Sequence, residues 1–287
     1  MIARSLARLT QPQQHRSFYS TTTTTTTITA AAAASSCQGA LFKPLNDKPI
    51  GYLILPGLVK YDAALALQSY LVSRRHRITQ QALETSDPAD MICFLEHPPT
   101  FTAGRRIRGK TELEEENRLK KLGADYYETM RGGQITFHGP GQLIAYPILD
   151  VRDYQLNVRC YVSRLEKTII DCCAKYDIKA NTTENTGVWV GQDAKIAALG
   201  VHLQRYVSSH GLALNCNVDL SWFDQIVPCG LSDKGVTSIS KETLKQTSPQ
   251  DVIPSLVKSF ESLFQKPLVS VETTKVLPKE LLDKLLH

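Results

Sequence analysis

The chain has 287 residues, of which 42% are hydrophobic, and a formal net charge of +5 at pH 7. This apolar share is enough to bury a sizeable core, so we expect a globular protein. The basic residues are interspersed with acidic ones, which argues against a dedicated nucleic-acid surface. No uninterrupted apolar run approaches the roughly 18 residues of a bilayer span, which argues against membrane insertion.

The first 46 residues differ in composition from the rest of the chain. No Asp or Glu precedes Asp47, and Arg4 and Arg8 fall on one face of a short amphipathic helix. Threonine and alanine runs follow. We predict a mitochondrial presequence and low-complexity leader over residues 1–46, and a matrix location. A disordered low-complexity tail without a targeting role is the alternative.

From residue 50 onward, apolar segments of strand composition alternate with segments of helical periodicity. We therefore predict an α/β (α+β) fold with a mixed central sheet flanked by helices, in one domain over residues 47–270. Residues 271–287 are predicted to form a C-terminal tail with a short helix. The predicted strands are GYLILPG, MICFLE, YYETM, QITFH, QLIAYPI, GVWVG, KIAALGVHL and GLALNCN; the predicted helices are LVKYDAALALQSYLVSRR, TELEEENRLKKLG, NVRCYVSRLEKTIIDCCAKY and 248–265.

Local signals refine these elements. Asn157 is a suitable N-cap for its helix, and Pro249 suits the first turn of the last long helix. Thr111 and Glu114 have capping-box spacing. The segment HPPTFTAGRR is predicted to be an ordered loop, because its two prolines block a helix and its glycine favours a turn.

The seven cysteines are odd in number and show no CxxC spacing. A disulfide framework and a cysteine-based metal site are therefore not expected, and we predict no metal. Cys172 and Cys173 are interpreted as packing residues of a helix, because adjacent side chains point about 100° apart.

The segment MRGGQITFHGPGQ is richer in glycine and polar residues than a simple core strand requires. Gly132 and Gly133 allow the main chain to approach a ligand closely, while Arg131 and His138 supply hydrogen-bond donors. A tight hairpin with a bulge would also explain the glycines. Two further histidines are ambiguous: His97 either lines a site or braces a loop, and His210 is a candidate donor behind a site.

Two candidate catalytic residues lie near predicted turns. Lys195 precedes an apolar strand, where an ammonium could be partly desolvated and exchange protons, although lysine is most often a solvated residue. Cys229, in IVPCGL, lies between Pro228 and Gly230 in a segment of loop composition. No apolar periodicity predicts its burial, so a nucleophile explains it better than packing does. A thiol beside a cation is rich in thiolate, and Lys195 is the natural partner.

Four motifs in this order, RGGQITFHGPGQLIAYPI, GVWV followed by KIAALGV, HGLALN, and IVPCGL followed by GVTSI, resemble the lipoyl(octanoyl) transferase family over about residues 52–239. The resemblance implies a fold like the catalytic domains of biotin and lipoate protein ligases, and a catalytic Cys229–Lys195 dyad. The segment 73–90 is longer than the usual connection, and the chain beyond about Lys241 carries no family signature. The substrate-contacting residues that the resemblance implies are Arg131, Gly132, Gly133, Gln134, Ile135, Thr136, Phe137, His138, Ala198, Leu199, Gly200, Gly211, Leu212 and Ala213.

The family resemblance also implies an activity. Such enzymes transfer octanoyl from octanoyl-acyl carrier protein to the acceptor lysine of apo lipoyl domains through a cysteine thioester, without a cofactor of their own. The implied acceptors are the glycine-cleavage H protein and 2-oxoacid dehydrogenase E2 subunits, and a monomer is expected. Two alternatives remain: an ATP-dependent ligase of the lipoate or biotin type, and a non-catalytic protein that binds lipoyl domains.

Overall fold

The computed structural model describes residues 43–226 and 234–286. Nearly all of the predicted leader, and Cys229, lie outside these ranges. The strands within them are β1 (Ile50–Leu58), β2 (Met91–Glu96), β3 (Thr100–Ala103), β4 (Asp125–Glu128), β5 (Ile135–His138), β6 (Gln142–Ile148), β7 (Ala180–Asn181), β8 (Val188–Val190), β9 (Ala194–Gln204), β10 (Val207–Asn215), β11 (Gly235–Val236) and β12 (Leu268–Ser270). The helices are α1 (Tyr61–Thr79), α2 (Leu113–Lys121), α3 (Val158–Ala174), α4 (Ile239–Thr243), α5 (Pro249–Phe264), α6 (Thr273–Val276) and α7 (Lys279–Leu286).

The described residues form one large and one small sheet. The large sheet has the order β12-β1-β2-β6-β10-β9-β8-β7, with β11 added beside β9. The pairs of β1 with β2 and β12 and of β9 with β11 are parallel, whereas β2-β6-β10-β9-β8-β7 is antiparallel throughout. The small sheet has the order β4-β3-β5. The predicted mixed central sheet is therefore confirmed.

Helices cover both faces of the large sheet, because side chains alternate along its strands. Ile92 and Phe94 of β2 belong to the core cluster that includes α3 and α5, whereas Met91, Cys93 and Leu95 belong to the cluster that includes α1 and α7. A third cluster packs the small sheet against α2 and a short 3-10 turn at Leu220–Gln225. Strand β5 thus contributes to the cluster of the small sheet, and β6 contributes to the two clusters of the large sheet.

The helix ends confirm two of the predicted caps and correct a third. Asn157 accepts a hydrogen bond from the backbone of Cys160 at the start of α3, and Pro249 is in the first turn of α5. The cap predicted at Thr111 is wrong. Helix α2 begins one residue later, after Glu112, and the Thr111 hydroxyl instead accepts a hydrogen bond from Tyr126 at 2.7 Å.

The predicted loop HPPTFTAGRR is also wrong in part. Thr100–Ala103 is β3, which pairs in parallel with β4 and antiparallel with β5. The two prolines precede the strand, so their missing N–H groups remove no hydrogen bond from it. The prolines exclude a helix here, but they do not exclude the strand that follows them.

The C-terminal segment contains two helices, α6 and α7, where one short helix was predicted. Val276, Leu277, Leu281 and Leu285 are buried in the same cluster as α1. The segment is therefore part of the core of the large sheet. No helix in the described ranges is both long and apolar enough to cross a membrane, and no group of three or more His, Cys, Asp or Glu side chains there could hold a metal ion.

Candidate active site

A cavity lies between the large sheet and the segment that carries RGGQITFH. Strands β6, β9 and β10 form one wall, and β5 with the residues before it forms the other. The lining residues are Tyr61, Arg131, Gly133, Gln134, Ile135, Thr136, His138, Ile144, Tyr146, Thr186, Lys195, Ala198, Leu199, Gly200, His210, Gly211, Leu212 and Ala213.

Lys195 lies at one end of this cavity, near the start of β9. Its backbone pairs with Trp189 of β8 and Val236 of β11, and the residue is only 6% exposed. The ammonium nitrogen lies 4.6 Å from the ring centroid of Trp189, a cation–π geometry. A Cβ on Gly187 would lie 3.1 Å from Lys195 Cε, so this glycine leaves room for the lysine. The predicted desolvated position of Lys195 is observed.

Cys229 lies outside the described residues, so its contact with Lys195 stays a prediction. The chain leaves the described range at Ile226, which packs against the core of the small sheet. It re-enters at Lys234, which forms an ion pair with Asp193. Thr237 N–H then donates to Lys195 O at 2.9 Å. The described chain therefore resumes beside the strand that carries Lys195.

Glycines allow the two walls to approach each other. A Cβ on Gly200 would lie 2.8 Å from Gly132 O, and a Cβ on Gly104 would lie 2.4 Å from Gly133 O. Either contact would push the RGG backbone away from its neighbours. Gly133 has a φ of +89°, which a residue with a side chain rarely adopts. The glycines therefore allow close packing of the RGG backbone against its neighbours, and the predicted close approach to a ligand stays a prediction.

The Arg131 side chain supports this wall from behind. Its guanidinium is buried and donates to Thr102 Oγ1, to Gly132 O at 2.9 Å and to Gln134 O at 2.8 Å. Main-chain carbonyls and a hydroxyl thus take up several of its five N–H donors. The described contacts show Arg131 holding the RGG backbone in shape, a role that sequence reasoning did not anticipate.

His138 belongs to a buried chain of neutral polar groups that crosses from one wall to the other. Its Nδ1 lies 2.9 Å from Gln142 Oε1, and its Nε2 lies 3.2 Å from Thr102 Oγ1. Gln142 Nε2 donates to Asn215 Oδ1, and Asn215 Nδ2 donates to Thr237 O, both at 2.9 Å. We refer to Thr102, His138, Gln142, Asn215 and Thr237 as the polar chain. Because Thr237 N–H donates to Lys195 O, the polar chain connects the RGG wall to the lysine strand.

The tautomer of His138 follows from its neighbours. Gln142 Nε2 already donates to Asn215, so Gln142 Oε1 accepts from His138 Nδ1–H. Nε2 is then an acceptor for the Thr102 hydroxyl. Burial, the neighbouring His97 and the charge of Arg131 hold the pKa of His138 well below its usual value. This imidazole is neutral, with both nitrogens engaged, so it is unsuited to act as a general base.

His97 braces a loop and does not line the cavity. Its Nδ1–H donates to Val59 O at 2.6 Å, and its Nε2 accepts from the Tyr146 hydroxyl at 2.8 Å. Burial lowers its pKa to about 4. Of the two alternatives for this residue, the structure favours bracing. His210 does line the cavity, and burial, with the charge of Arg131, lowers its pKa to about 3.

Most of the residues implied as substrate contacts line the cavity, but Gly132 and Phe137 do not. Gly132 N–H donates to Val201 O at 3.0 Å, which ties the RGG backbone to β9. The Phe137 ring is buried in the core of the small sheet and stacks on Trp222 at 5.0 Å. Phe137 therefore supports β5 from the far side, because alternate residues of a strand point in opposite directions.

Sequence reasoning missed four lining residues, Tyr61, Ile144, Tyr146 and Thr186. Tyr61 opens α1, and burial raises its pKa to about 12. Ile144 and Tyr146 lie on β6, in the sequence QLIAYPI. For Ile144 and Tyr146, the available sequence signal was their place on a buried strand next to a glycine-rich motif. Tyr61 and Thr186 come from distant segments and had no such signal.

Comparison with known proteins shows which family the chain resembles. Residues 60–261 match the model described as the lipoyl protein ligase A/B catalytic domain. The chain is 48% identical over 208 residues to the mitochondrial octanoyl-[acyl-carrier-protein]:protein N-octanoyltransferase of Danio rerio, covering 72% of this chain and 89% of that protein. It is 39% identical over 230 residues to the Homo sapiens protein of the same name, covering 79% and 98%, respectively. A mitochondrial octanoyltransferase of Arabidopsis thaliana is 43% identical over 201 residues, covering 69% and 81%.

Solved structures show the same fold at low sequence identity. A crystal structure of lipoate-protein ligase A bound with ATP superposes with a TM-score of 0.59 at 12% identity, covering 84% of this chain and 93% of that chain. A bi-partite lipoate protein ligase from Thermoplasma acidophilum, from a study that includes its E2 lipoyl domain, gives 0.58 at 12% identity, covering 84% and 91%. The expected likeness to lipoate ligases is thus confirmed. The chain belongs to the lipoyl protein ligase A/B catalytic-domain family and, within it, to the octanoyltransferases.

Proposed function

We propose that this octanoyltransferase carries the acyl group on Cys229 and uses Lys195 to accept and return the proton. The transferase activity follows from the family, whose named members use octanoyl-acyl carrier protein as donor and a protein as acceptor. The acceptor is the lysine of an apo lipoyl domain. The observation that carries the proposal is the buried Lys195 at one end of a largely apolar cavity.

The cavity suits an alkyl chain with its reactive carbonyl near Lys195. Ile135, Ile144, Ala198, Leu199 and Leu212 contribute apolar carbon to its lining. Each buried methylene stabilises the complex by about 0.8 kcal/mol, which favours binding of an eight-carbon chain. Two polar groups of the lining, His138 and Tyr146, are uncharged because burial holds the pKa of His138 low and that of Tyr146 well above its usual value.

The first half of the reaction forms a thioester on the enzyme. Lys195 accepts the thiol proton of Cys229, and the thiolate attacks the octanoyl carbonyl. The tetrahedral intermediate collapses with cleavage of the bond between the acyl carbon and the carrier sulfur. The carrier thiol leaves with the proton returned by Lys195.

The second half transfers the acyl group to nitrogen. The neutral amine of the acceptor lysine attacks octanoyl-Cys229, a C–N bond forms, and the C–S bond to Cys229 breaks. The proton lost from the amine is returned to the Cys229 sulfur through Lys195. A thioester is an activated acyl group and an amide is not, so the second step runs downhill. We therefore propose that neither ATP nor another cofactor is consumed.

Four other cysteines of the described chain are unsuited to the nucleophile's role. Cys93, Cys172, Cys173 and Cys216 are free and buried. Burial raises the pKa of Cys93 and of Cys172 to about 12, and that of Cys173 and Cys216 is also raised. At neutral pH these four thiols are protonated, and a thiol is a much weaker nucleophile than its thiolate. This supports Cys229 as the acylated residue.

Partners and location follow the same reasoning. The protein is mitochondrial, as are the relatives from Danio rerio, Homo sapiens and Arabidopsis thaliana by name. We propose a matrix location, because the basic leader has the composition of a matrix presequence. The proposed acceptors are the glycine-cleavage H protein and 2-oxoacid dehydrogenase E2 subunits, and the enzyme is proposed to act as a monomer.

Mass spectrometry of the trapped intermediate tests the mechanism. The enzyme is incubated with octanoyl-acyl carrier protein without acceptor and without nucleotide, and intact mass and peptide analysis locate the added octanoyl group. We expect one octanoyl group on Cys229 of the wild type, no octanoyl group on the Cys229→Ala protein, and transfer to an apo lipoyl domain without ATP. An acyl group on another residue, or a strict ATP requirement, contradicts the proposal.

Replacing Lys195 tests the proton carrier. Lys195→Met should lower the transfer rate by about 10²- to 10⁴-fold, the usual contribution of acid–base catalysis. Lys120→Met on the exposed face of α2 removes a surface ion pair with Glu116 and is the matched control. A Lys195→Met rate within a few-fold of the control would show that another group moves the proton.

A further inference from the structure

Lys195 and His210 both line the cavity, on neighbouring strands of the large sheet. Lys195 is near the start of β9, and His210 of β10 pairs with Val201, further along the same strand. Six residues of extended strand separate Lys195 from Val201, roughly 20 Å at about 3.3 Å per residue. Because the carbonyl is placed at Lys195, the methyl end of the acyl chain must point toward His210.

An extended eight-carbon chain is shorter than this distance. Single bonds of about 1.5 Å arranged in a zigzag give an extended octanoyl group a length of roughly 9 Å. The lysine side chain occupies part of the remainder at one end. At the other end, Arg131, Gly200, His210 and Gly211 line the cavity. Gly200 and Gly211 have no side chain, and the Arg131 guanidinium is held by Thr102, Gly132 O and Gln134 O. His210 therefore supplies the side chain that faces the methyl group.

The main chain holds His210 in an unusual conformation. Its φ is +56°, a left-handed value within a strand, where a residue with a side chain is rarely found. Its N–H donates to Gln68 Oε1 of α1 at 2.6 Å. The ring packs edge-on against Tyr146, with centroids 6.3 Å apart. Such strain persists where neighbouring contacts impose it, and it is concentrated at functional sites.

The His210 side chain is buried but not satisfied. It is 5% exposed, and among the described residues its Nδ1 has no hydrogen-bond partner. Gln68, 3% exposed, also leaves its Nε2 without one. Unsatisfied buried nitrogens cost stability, so a purely structural role would select an apolar side chain here.

A second space lies on the other side of His210. An open groove runs between α1 and the ends of β9 and β10, and His210 lines both this groove and the cavity. Leu65, Val72 and Met130 contribute apolar carbon to the groove. The groove would accommodate additional methylenes if the wall formed by His210 were removed.

We infer that His210 closes the methyl end of the acyl cavity and thereby sets the upper limit on acyl chain length. The inference rests on the proposed function, which places the acyl carbonyl at Lys195. It extends that function to a specificity-determining residue, since the wild-type cavity ends at an imidazole and the groove begins behind it.

A comparison of two acyl chain lengths tests this inference. We propose to measure kcat/KM for octanoyl and dodecanoyl carrier proteins with the wild type and with His210→Gly and His210→Asn. Glycine and asparagine both tolerate a positive φ, so the strand conformation is retained. His202→Ala is the matched control, because His202 lines the groove but not the cavity.

In His210→Gly the ratio of dodecanoyl to octanoyl kcat/KM should rise by roughly tenfold or more, which is the discrimination an apolar pocket provides. His210→Asn should show a smaller rise, and His202→Ala none. A proportional loss of both activities, with the ratio unchanged, would mean that His210 is only structural and would overturn the inference. Absence of any octanoyl-enzyme in the wild type would instead overturn the proposed function.

Discussion

Two buried polar clusters lie at the two ends of β6, and they are built from different chemistry. The polar chain, at the start of β6, contains neutral groups only. Beyond the end of β6, Arg75, Asp90, Asp150 and Asp153 form a cluster of ions, which we call the charge cluster. Six residues of strand, roughly 20 Å, separate Gln142 from Ile148.

The charge cluster stabilises the contact between α1 and the turn after β6. The Arg75 guanidinium lies 2.6 Å from both Asp90 Oδ1 and Asp153 Oδ2, and it ties the end of α1 to the turn after β6. Burial alone would raise the pKa of Asp150, but hydrogen bonds from Arg152 and the charge of Arg75 hold it below its ordinary value. Ions remain stable here because each has a partner.

The polar chain serves a different purpose. It borders the cavity that we propose binds the acyl chain, where an unpaired ion would be costly. Its hydrogen bonds hold the RGG wall and the lysine strand in register without adding charge. The comparison shows that the charge cluster stabilises the sheet away from the cavity, whereas the polar chain positions the wall beside the cavity together with Arg131, which donates to Thr102.

The sharpest way to break this comparison is to remove the central cation of the charge cluster. Arg75→Met leaves buried carboxylates without their partner and should lower the free energy of unfolding by about 3–5 kcal/mol. Octanoyl transfer per folded molecule should be unchanged, because the substitution is remote from the cavity. Urea denaturation and transfer assays below the melting temperature measure the two quantities.

Arg118→Met is the control for this substitution. Arg118 pairs with Glu115 on α2, and both side chains are about half exposed, so its loss should cost about 0–1 kcal/mol. An Arg75→Met protein as stable as the Arg118→Met protein would show that the charge cluster does not stabilise the fold.

A smaller effect on stability, accompanied by an effect on activity, is expected in the polar chain. Asn215→Ala leaves Gln142 Nε2 without one acceptor and Thr237 O without this donor, which should cost roughly 1–3 kcal/mol. Because Thr237 N–H holds the Lys195 backbone, the transfer rate should also fall, by about 10- to 100-fold. Transfer assays and urea denaturation on the same preparation measure both.

Asn117→Ala, an exposed position on α2, is the control for Asn215→Ala. The comparison between the clusters would fail if Asn215→Ala lost stability but kept full transfer activity, since the polar chain would then be structural as well.

The smallest expected effect concerns pH. His97 is neutral in the folded protein because burial lowers its pKa to about 4, whereas an unfolded histidine titrates near 6.5. The unfolded state thus binds an extra proton between these values, and stability is lost as the pH falls through this window. His97→Gln keeps one donor and one acceptor but does not titrate.

The variant should therefore lose less stability than the wild type between pH 6 and pH 5, by about 1 kcal/mol. Urea denaturation at the two pH values measures this difference. His202→Gln, at a partly exposed position, should change the pH dependence less. If His97→Gln and the wild type lose stability in parallel, His97 is not the proton acceptor on unfolding.

Several features of the site could be predicted from sequence because they are local. The glycines around Arg131, the position of Lys195 at the start of an apolar strand and the cap at Asn157 are readable within a few residues. The sequence did not predict that Phe137 lies outside the cavity lining or that Tyr61 and Tyr146 belong to it. These positions depend on which face of β5 meets the large sheet and on where α1 begins. The contact between Cys229 and Lys195 stays a prediction, because Cys229 lies outside the described residues.

The sequence by itself determined most strands and helices, the octanoyltransferase motifs and their order, because periodicity and motif spacing are properties of neighbouring residues. Only the tertiary structure decided that Arg131 supports the wall, that the polar chain reaches Lys195, and that His210 separates the cavity from the groove. These contacts join residues far apart in the chain, such as Gln142 and Asn215. Their hydrogen bonds form only once packing of the sheet and helices has brought the segments together.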